Sequence, residues 1–538
     1  LKVLKTFKVY FSLNYFVKIR IFEIVPTSNS NFMKLKLTVL IAFLLVMPLL
    51  SSSQEIKPED IVSARKIRRI ELNDPIRPVW HLTIAEGKAM PFDPNGAIFK
   101  DGVYHLWYIY QDEGKCNWQH LSSIDLFHWR WYANDLKPLP GDPEHDIFSG
   151  NAFIAKDGNV VLAYHGLGTD GNCVAYSSDK DLDQWTKPKT NPIAKPGWDP
   201  HMWLEGDTYY QISGGLPGAK HPNPPVLYTG DNYDQPMKKV GEFMTHNMPG
   251  VDDFEDISCP DFFRLGDKWV LLCISHSRGA RYYIGTWNGK QFNPESHHRM
   301  NWPGGTMFAP ETLLDDRGRR IMWAWVLDRK SGASSGTMSM PRVLTLSKDK
   351  LSLNIEPPKE VERVRYNKME EKPFTVSAGQ SVMLNHVAGN ILEMEIMIDP
   401  GKAKRFGVKV FSSKDGVEQT PIVIDRTKNI LQIDMRNSGI NRPVYEEFAM
   451  AFASPDPKKN PVILTEDAPF SLKTGEKVHL RVFLDKSMLE VFANGRQCIT
   501  QVLYPTLKDA VNVQIFTDDE SIKVESLKAW KLFPAMQW

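Results

Sequence analysis

A four-residue pattern recurs five times between residues 92 and 311, and it limits the possible folds more than any other feature of the chain. The copies are Phe92-Asp93-Pro94-Asn95, Phe148-Ser149-Gly150-Asn151, Trp198-Asp199-Pro200-His201, Ser258-Cys259-Pro260-Asp261 and Phe308-Ala309-Pro310-Glu311. Each runs into an apolar stretch of strand composition, then a glycine turn (Gly102, Gly158, Gly206, Gly266, Gly318), then a second strand. Successive second positions lie 56, 50, 60 and 50 residues apart. That spacing holds four short antiparallel strands per unit with variable loops. Units repeated at such a period bury their apolar faces against their neighbours. The expectation is an all-β chain whose residues 80–350 form a five-bladed β-propeller. The first strand of each blade would line the central axis, so five segments far apart in sequence would share one pocket.

The rhythm changes after Ser347. Residues 351–373, with Pro357-Pro358, read as a linker. From 374 to 538 the pattern is two-residue alternation: Leu392, Met394, Ile396 and Ile398 share one strand face. Asn494-Gly495 is a hairpin signal. This stretch reads as a C-terminal β-sandwich. At the other end, Met33-Lys34-Leu35-Lys36 precedes an apolar run over 37–50 and then Ser51-Ser52-Ser53. Basic region, short apolar core and small residues make 1–53 a leader and signal peptide, with 54–79 an N-terminal extension. The apolar run is short for a membrane span. Export to the periplasm or the outside follows, without stable membrane insertion.

Charge and cysteine content narrow the partners. Lys and Arg total 65 against 64 Asp and Glu, without a long run of one sign. Nucleic acid is therefore not expected as a partner, and a neutral ligand such as an oligo- or polysaccharide fits. The 5 cysteines contain no Cys-x-x-Cys pair, and the two adjacent histidines, His297-His298, lack further spaced ligands, so neither a cofactor nor a metal is expected. A Cys259–Cys273 disulfide is open. Oligomeric state is left undetermined.

Asp93 and Asp199 occupy the same repeat position after an aromatic residue. Retaining glycoside cleavage uses two carboxyl groups about 5–5.5 Å apart, one as nucleophile and one as acid/base. Converging strands supply carboxylates from different blades. The surrounding motifs resemble glycoside hydrolase family 32, the fructan- and sucrose-cleaving enzymes. Asp93-Pro94-Asn95-Gly96 with Tyr104-His105-Leu106-Trp107-Tyr108 and Gln111 is similar to the family's first blade. Trp118-Gln119-His120 and Asp125-Leu126-Phe127-His128-Trp129 resemble its Trp-Gly-His and Asp-Leu-x-x-Trp elements. Phe148-Ser149-Gly150 is similar to its Phe-Ser-Gly motif, and Cys259-Pro260-Asp261-Phe262 to the tail of its Glu-Cys-Pro-Asp motif. Arg481-Val482-Phe483-Leu484-Asp485 through Glu490-Val491-Phe492 resembles its sandwich. The resemblance implies that Asp93 is the nucleophile and that Asp199 holds sugar hydroxyls beside the oxocarbenium-like transition state. It implies that Gln111, Trp118, Phe148 and Ser149 shape the terminal-sugar pocket. Core packing is the alternative for Trp118 and Phe148.

Four positions depart from the family in one register. The acid/base Glu that usually precedes Cys-Pro is Ser258, whose hydroxyl is no general acid near neutral pH. Phe92, Trp198 and Phe308 stand where the family has Asn, Arg and Tyr. Candidate replacements for the acid are Glu311 and Asp256. Glu311 would acquire a raised pKa if it entered an apolar pocket of Phe308, Phe92 and Trp198. Asp256 would share a face with Ser258 if the strand extends that far, with Glu255 pointing the other way unless a bulge intervenes. Asp261 reads as structural or sugar-binding. Asn95, Asn151, His201, Asp261 and Glu311 form a candidate polar ring around the channel, and Trp302 a candidate sugar-stacking residue at its rim. The leading expectation is an exported glycosidase that removes terminal β-fructofuranosyl residues with retention. The alternatives are a glycosidase for another glycoside with a relocated acid, and a non-catalytic carbohydrate-binding protein on the same fold.

Overall fold

A computed structural model describes residues 57–84, 91–215, 224–244, 248–327, 336–440, 445–447, 449, 450 and 461–535. The expected leader and signal peptide lie outside the described residues. The chain divides into two units, Leu1–Ile67 and Arg68–Trp538. A helix, Pro58–Leu72, spans that division and buries none of its residues. All the sheets belong to the second unit.

Five small antiparallel sheets come first. Their leading strands are Pro94–Lys100, Asp146–Ile154, Pro200–Glu205, Ser258–Leu265 and Met307–Leu314. Four sheets have four strands and the second has three. Isolated bridges, Asn172 to Ala194 and Tyr176 to Thr186, extend the second sheet's outer edge. Each leading strand contacts those of the two neighbouring sheets, and the fifth contacts the first, so the five contacts run in a cycle. The repeat maps onto this directly, because every copy sits at the start of a leading strand. Four of the five strands carry a register shift there: Pro94/Gly96, Ile147/Gly150, Ser258/Asp261 and Phe308/Pro310. A bulge of this kind bends the strand and re-aims its side chains. Asp199, Cys259 and Ala309, all second positions, have φ of 31°, 45° and 40°. Non-glycine residues in that region cost about 1–3 kcal/mol each and persist where surrounding structure holds them.

Two larger antiparallel sheets, of seven and six strands, follow. They share one apolar core, in which Leu392, Met394, Ile396 and Ile398 of one sheet meet Phe406, Val408 and Val410 of the other. This is the alternation read from the sequence. Asn494 and Gly495 both have positive φ in the turn between Met488–Ala493 and Gln497–Val502. The segment expected to be a linker is ordered structure. Leu353–Glu356 is the outer strand of the fifth sheet, and Arg365–Glu371 pairs with the last strand, Ile522–Leu532. The two prolines mark only the short step between them, ahead of a 3-10 turn at Lys359–Val364.

The two halves are joined by buried charge. Asp485 accepts the backbone N–H groups of Val79, Trp80 and His81 at 2.8–2.9 Å, tying the start of the five-sheet region to the seven-stranded sheet. Arg342 of the fifth sheet pairs with Glu490 at 3.1 Å, and neither side chain is exposed.

Candidate active site

The bulged entrances turn the second-position side chains towards one another. Ser149 Oγ donates to Asp93 Oδ2 at 2.9 Å. The Cys259 backbone N–H donates to Asp199 Oδ2 at 3.0 Å. The Cys259 thiol lies between the two carboxylates, 3.9 Å from Asp93 Oδ2 and 3.6 Å from Asp199 Oδ2. First, second, third and fourth sheets thus contribute one residue each to a single cluster. Asp93 and Asp199 are both buried, at 6% and 3% exposure, although neither has a cationic hydrogen-bond partner among the described residues. Asp93 Oδ1 has no hydrogen-bond partner among the described residues. One oxygen is therefore anchored, and the other is buried without a hydrogen-bond partner among the described residues.

Burial pushes Asp93 up to about 7, and the Asp199 charge adds to it against the Ser149 bond. Burial likewise raises Asp199, opposed by the positive field of His276 and by the Cys259 N–H. Removing the Ser149 hydroxyl takes away a bond to the charged form of Asp93, so its pKa rises further. Ser149→Ala is expected to shift the acidic limb of kcat/KM upward, with a larger loss at pH 6 than at pH 8. A pH profile checks this; an unmoved limb would separate Asp93 ionisation from turnover.

The fourth positions form a different structure. Four of the five span the gap between neighbouring leading strands. Asn151 exchanges two bonds with the Met202 backbone, at 2.8 and 2.9 Å. His201 Nε2 bonds the Phe262 carbonyl at 3.0 Å, and Thr312 donates to Asp261 at 2.6 Å. Glu311 accepts from the Ala97 backbone, faces Asp261 and Arg320, and is raised well above its ordinary value by burial. Burial raises Asp261 to about 6 against the opposing effects of Arg320 and Thr312. Asn95 is buried, and its Nδ2 has no partner among the described residues. Asn151, His201, Asp261 and Glu311 are thus stitches between neighbouring strands.

The apolar pocket expected around Glu311 is not assembled. Phe92 packs against Tyr108 at a ring distance of 4.8 Å, in the same core as Phe308. Trp198 lies apart, half-buried beside His165 at 4.9 Å and Phe148 at 6.2 Å. Among the pocket residues implied by the resemblance, Trp118 is fully buried and donates to the Phe148 carbonyl at 3.1 Å, so it packs in the core. Gln111 is exposed at a strand end beside the Cys116 sulfur, 3.8 Å away. Trp302 is 7% exposed and belongs to the core of the two larger sheets. All five cysteines are free, Cys259 and Cys273 included.

Ser258 is fully buried, with its Oγ 3.1 Å from the Gly215 carbonyl and 2.9 Å from Asp256 Oδ2, the nearer acceptor for its single hydrogen. Asp256 and Ser258 therefore meet, although the strand begins only at Ser258 and alternation does not reach Asp256, while Glu255 turns away to Arg281 and Arg299. The same Asp256 oxygen bonds His276 Nδ1 at 2.6 Å. Burial would lower His276, but the Asp256 bond and the charges of Asp256, Asp199 and Asp93 leave it raised. His276 was not singled out by sequence reasoning, since nothing in the repeat marks it. Its one signal is position: it directly follows the second strand of the fourth unit, Lys268–Ser275.

Comparison with known proteins follows this geometry. The glycosyl hydrolases family 32 N-terminal domain matches residues 85–357, and the family 32 C-terminal domain matches residues 360–531. A levanase of Bacillus subtilis is 28% identical over 518 residues, covering 86% of this chain and 72% of the relative. A sucrose-6-phosphate hydrolase of Zymomonas mobilis is 27% identical over 545 residues, covering 89% of this chain and 96% of the relative. Among solved structures, fructan 1-exohydrolase IIa from Cichorium intybus superposes with a TM-score of 0.71 at 21% identity, covering 86% of this chain and 98% of that one.

Proposed function

The chain belongs to glycosyl hydrolase family 32 and is a glycosidase; on that premise we propose that it removes terminal β-fructofuranosyl residues from fructans or sucrose-like oligosaccharides with retention of configuration. The observation that carries the reading is the pair of buried carboxylates, Asp93 and Asp199, at one repeat position on either side of the Cys259 thiol. Asp93 attacks the anomeric carbon through Oδ1, while Ser149 keeps Oδ2 in place. Asp199 accepts hydroxyls of the same sugar, and its charge favours the oxocarbenium-like transition state. The cycle of strand contacts supports a five-bladed β-propeller as the scaffold, and the shared core of the two larger sheets supports a β-sandwich behind it. The basic, apolar and small-residue order of 33–53 supports export.

Trp198, half-buried where the family has Arg, favours a second reading: the same chemistry on another furanoside, with fewer charged contacts to the sugar. Incubation of the purified protein with inulin, levan, sucrose and an arabinofuranosyl oligosaccharide separates the two. Free fructose as the sole early product from a fructan is expected. Arabinose release without fructose would favour the second reading, and no sugar release at all would contradict both.

A further inference from the structure

Ser258 leaves the family's acid/base position without a titratable group, and the surrounding side chains contain a replacement. We propose that His276, held by Asp256, is the general acid/base of this enzyme, with His276 the catalytic residue and Asp256 a positioning residue. The inference rests on the retaining fructosidase reading given above.

The placement follows from the hairpin. Ser258 pairs with Ile274 across the first two strands of the fourth sheet, so His276 emerges at the same end as Ser258 and Cys259. That end is where the second-position carboxylates gather. Asp256 fixes the imidazole twice: Oδ1 accepts the His276 backbone N–H at 3.0 Å, and Oδ2 bonds Nδ1 at 2.6 Å. Ser258 Oγ donates to Oδ2 at 2.9 Å and so orients the carboxylate. The hydroxyl thus braces the dyad where the family acid would stand. Arg281 Nη2 holds the Asp256 carbonyl at 2.6 Å from the next strand. The Phe308 ring lies 5.9 Å from the imidazole. Met450 N–H donates to the His276 carbonyl at 3.1 Å. Among the ionisable groups whose charge acts on the ring are Asp256, Asp199 and Asp93, while Arg278 two residues on pairs with Glu447 at 3.1 Å. Three carboxylates around one imidazole favour its protonated form, the form an acid needs. Asp256 bonds Nδ1, and the proton is given and taken at the other ring nitrogen, Nε2.

The proton balance closes. An Asp93 oxygen bonds the anomeric carbon as its bond to the leaving oxygen breaks. The electron pair stays on that oxygen, which takes the proton from His276 Nε2 and departs as an alcohol. Water then attacks the anomeric carbon and gives a proton to the neutral imidazole. The ester bond breaks, and its electron pair returns to Asp93.

The test uses His276→Gln, Asp256→Asn and Asp93→Asn in the full chain. Each is assayed on sucrose and inulin, which have alkoxide leaving groups, and on a nitrophenyl fructoside, whose leaving group needs no proton. His276→Gln is expected to lose about 10²–10⁴-fold on sucrose and inulin, the span that general acid catalysis covers. Release of nitrophenol in a first turnover should stay near the wild-type rate. Azide, which attacks without a base, should speed steady-state turnover of this variant and yield fructosyl azide. Asp256→Asn should move the alkaline limb of the pH profile to lower pH, a shift that loss of folding does not produce. Wild-type rates in His276→Gln, or equal losses on both kinds of substrate with no azide effect, would overturn the assignment. If His276→Gln behaves as wild type while Asp93→Asn is inert, only the His276 role falls. A wild type inert on every fructoside removes the fructosidase reading itself, and an active Asp93→Asn removes the retaining route through Asp93.

Discussion

Asp93→Asn is expected to reduce fructoside turnover by at least about 10³-fold, in line with the loss of other enzymatic nucleophiles, while making the protein more stable above neutral pH. The first effect follows from the roles: an amide oxygen at this position cannot form the glycosyl ester that the retaining route requires. The second follows from burial. Asp93 is raised from 3.8 to about 7 in the folded chain. The folded state therefore binds a proton more tightly than the unfolded one, and stability falls as pH rises from about 4 to about 7. Above that window the carboxylate is ionised in both states, and the folded state bears the full cost of its desolvation. At one unit per about 1.4 kcal/mol, that cost is on the order of 4 kcal/mol at pH 8 and vanishes below pH 4. Asparagine has no such charge. Urea unfolding of both proteins at pH 4 and pH 8 should show a gain confined to the higher pH. A variant destabilised at both pH values would mean that the carboxylate is held by compensating bonds.

Glu490→Ala is expected to cost about 3–5 kcal/mol, the range for removing one partner of a buried ion pair. Glu490 Oε2 accepts Arg342 Nη2 at 3.1 Å, and Oε1 accepts the Met340 N–H at 2.9 Å. His81 stands 3.5 Å from the same carboxylate. All three side chains are without exposure. Alanine would leave the Arg342 guanidinium buried without its carboxylate, at the contact between the fifth sheet and the seven-stranded sheet. Denaturant unfolding followed by tryptophan fluorescence measures the loss. A change within about 0.5 kcal/mol, ordinary for a surface site, would show that the contact is not held by this pair.

The repeat was legible because each unit begins with the same local problem. A leading strand must begin at a bend, and Pro or Gly after a short polar or aromatic step meets that need. The facing of the side chains was harder to read. Plain two-residue alternation places second and fourth positions on one face and suggests a single polar pocket. The bulges break that equivalence: Asp93, Ser149, Asp199 and Cys259 meet at the entrance, while Asn151, His201, Asp261 and Glu311 stitch neighbouring strands. Glu311 thus shares the register of pocket residues without sharing their surroundings. Trp118 and Trp302 illustrate the same limit for aromatics, since sequence does not distinguish a stacking platform from a core ring. The Asp256–His276 pair was invisible for another reason. Its members are 20 residues apart and are joined only by the hairpin of the fourth sheet. The supposed linker failed through composition: Pro357-Pro358 drew attention from the strands on either side.

The most direct test of the central claim is mass spectrometry of the enzyme quenched during turnover of a nitrophenyl fructoside. A hexosyl adduct is expected on the peptide that contains Asp93, accumulating further in His276→Gln because the second step lacks its base. Turnover without a covalent adduct, or an adduct on another residue, would contradict it.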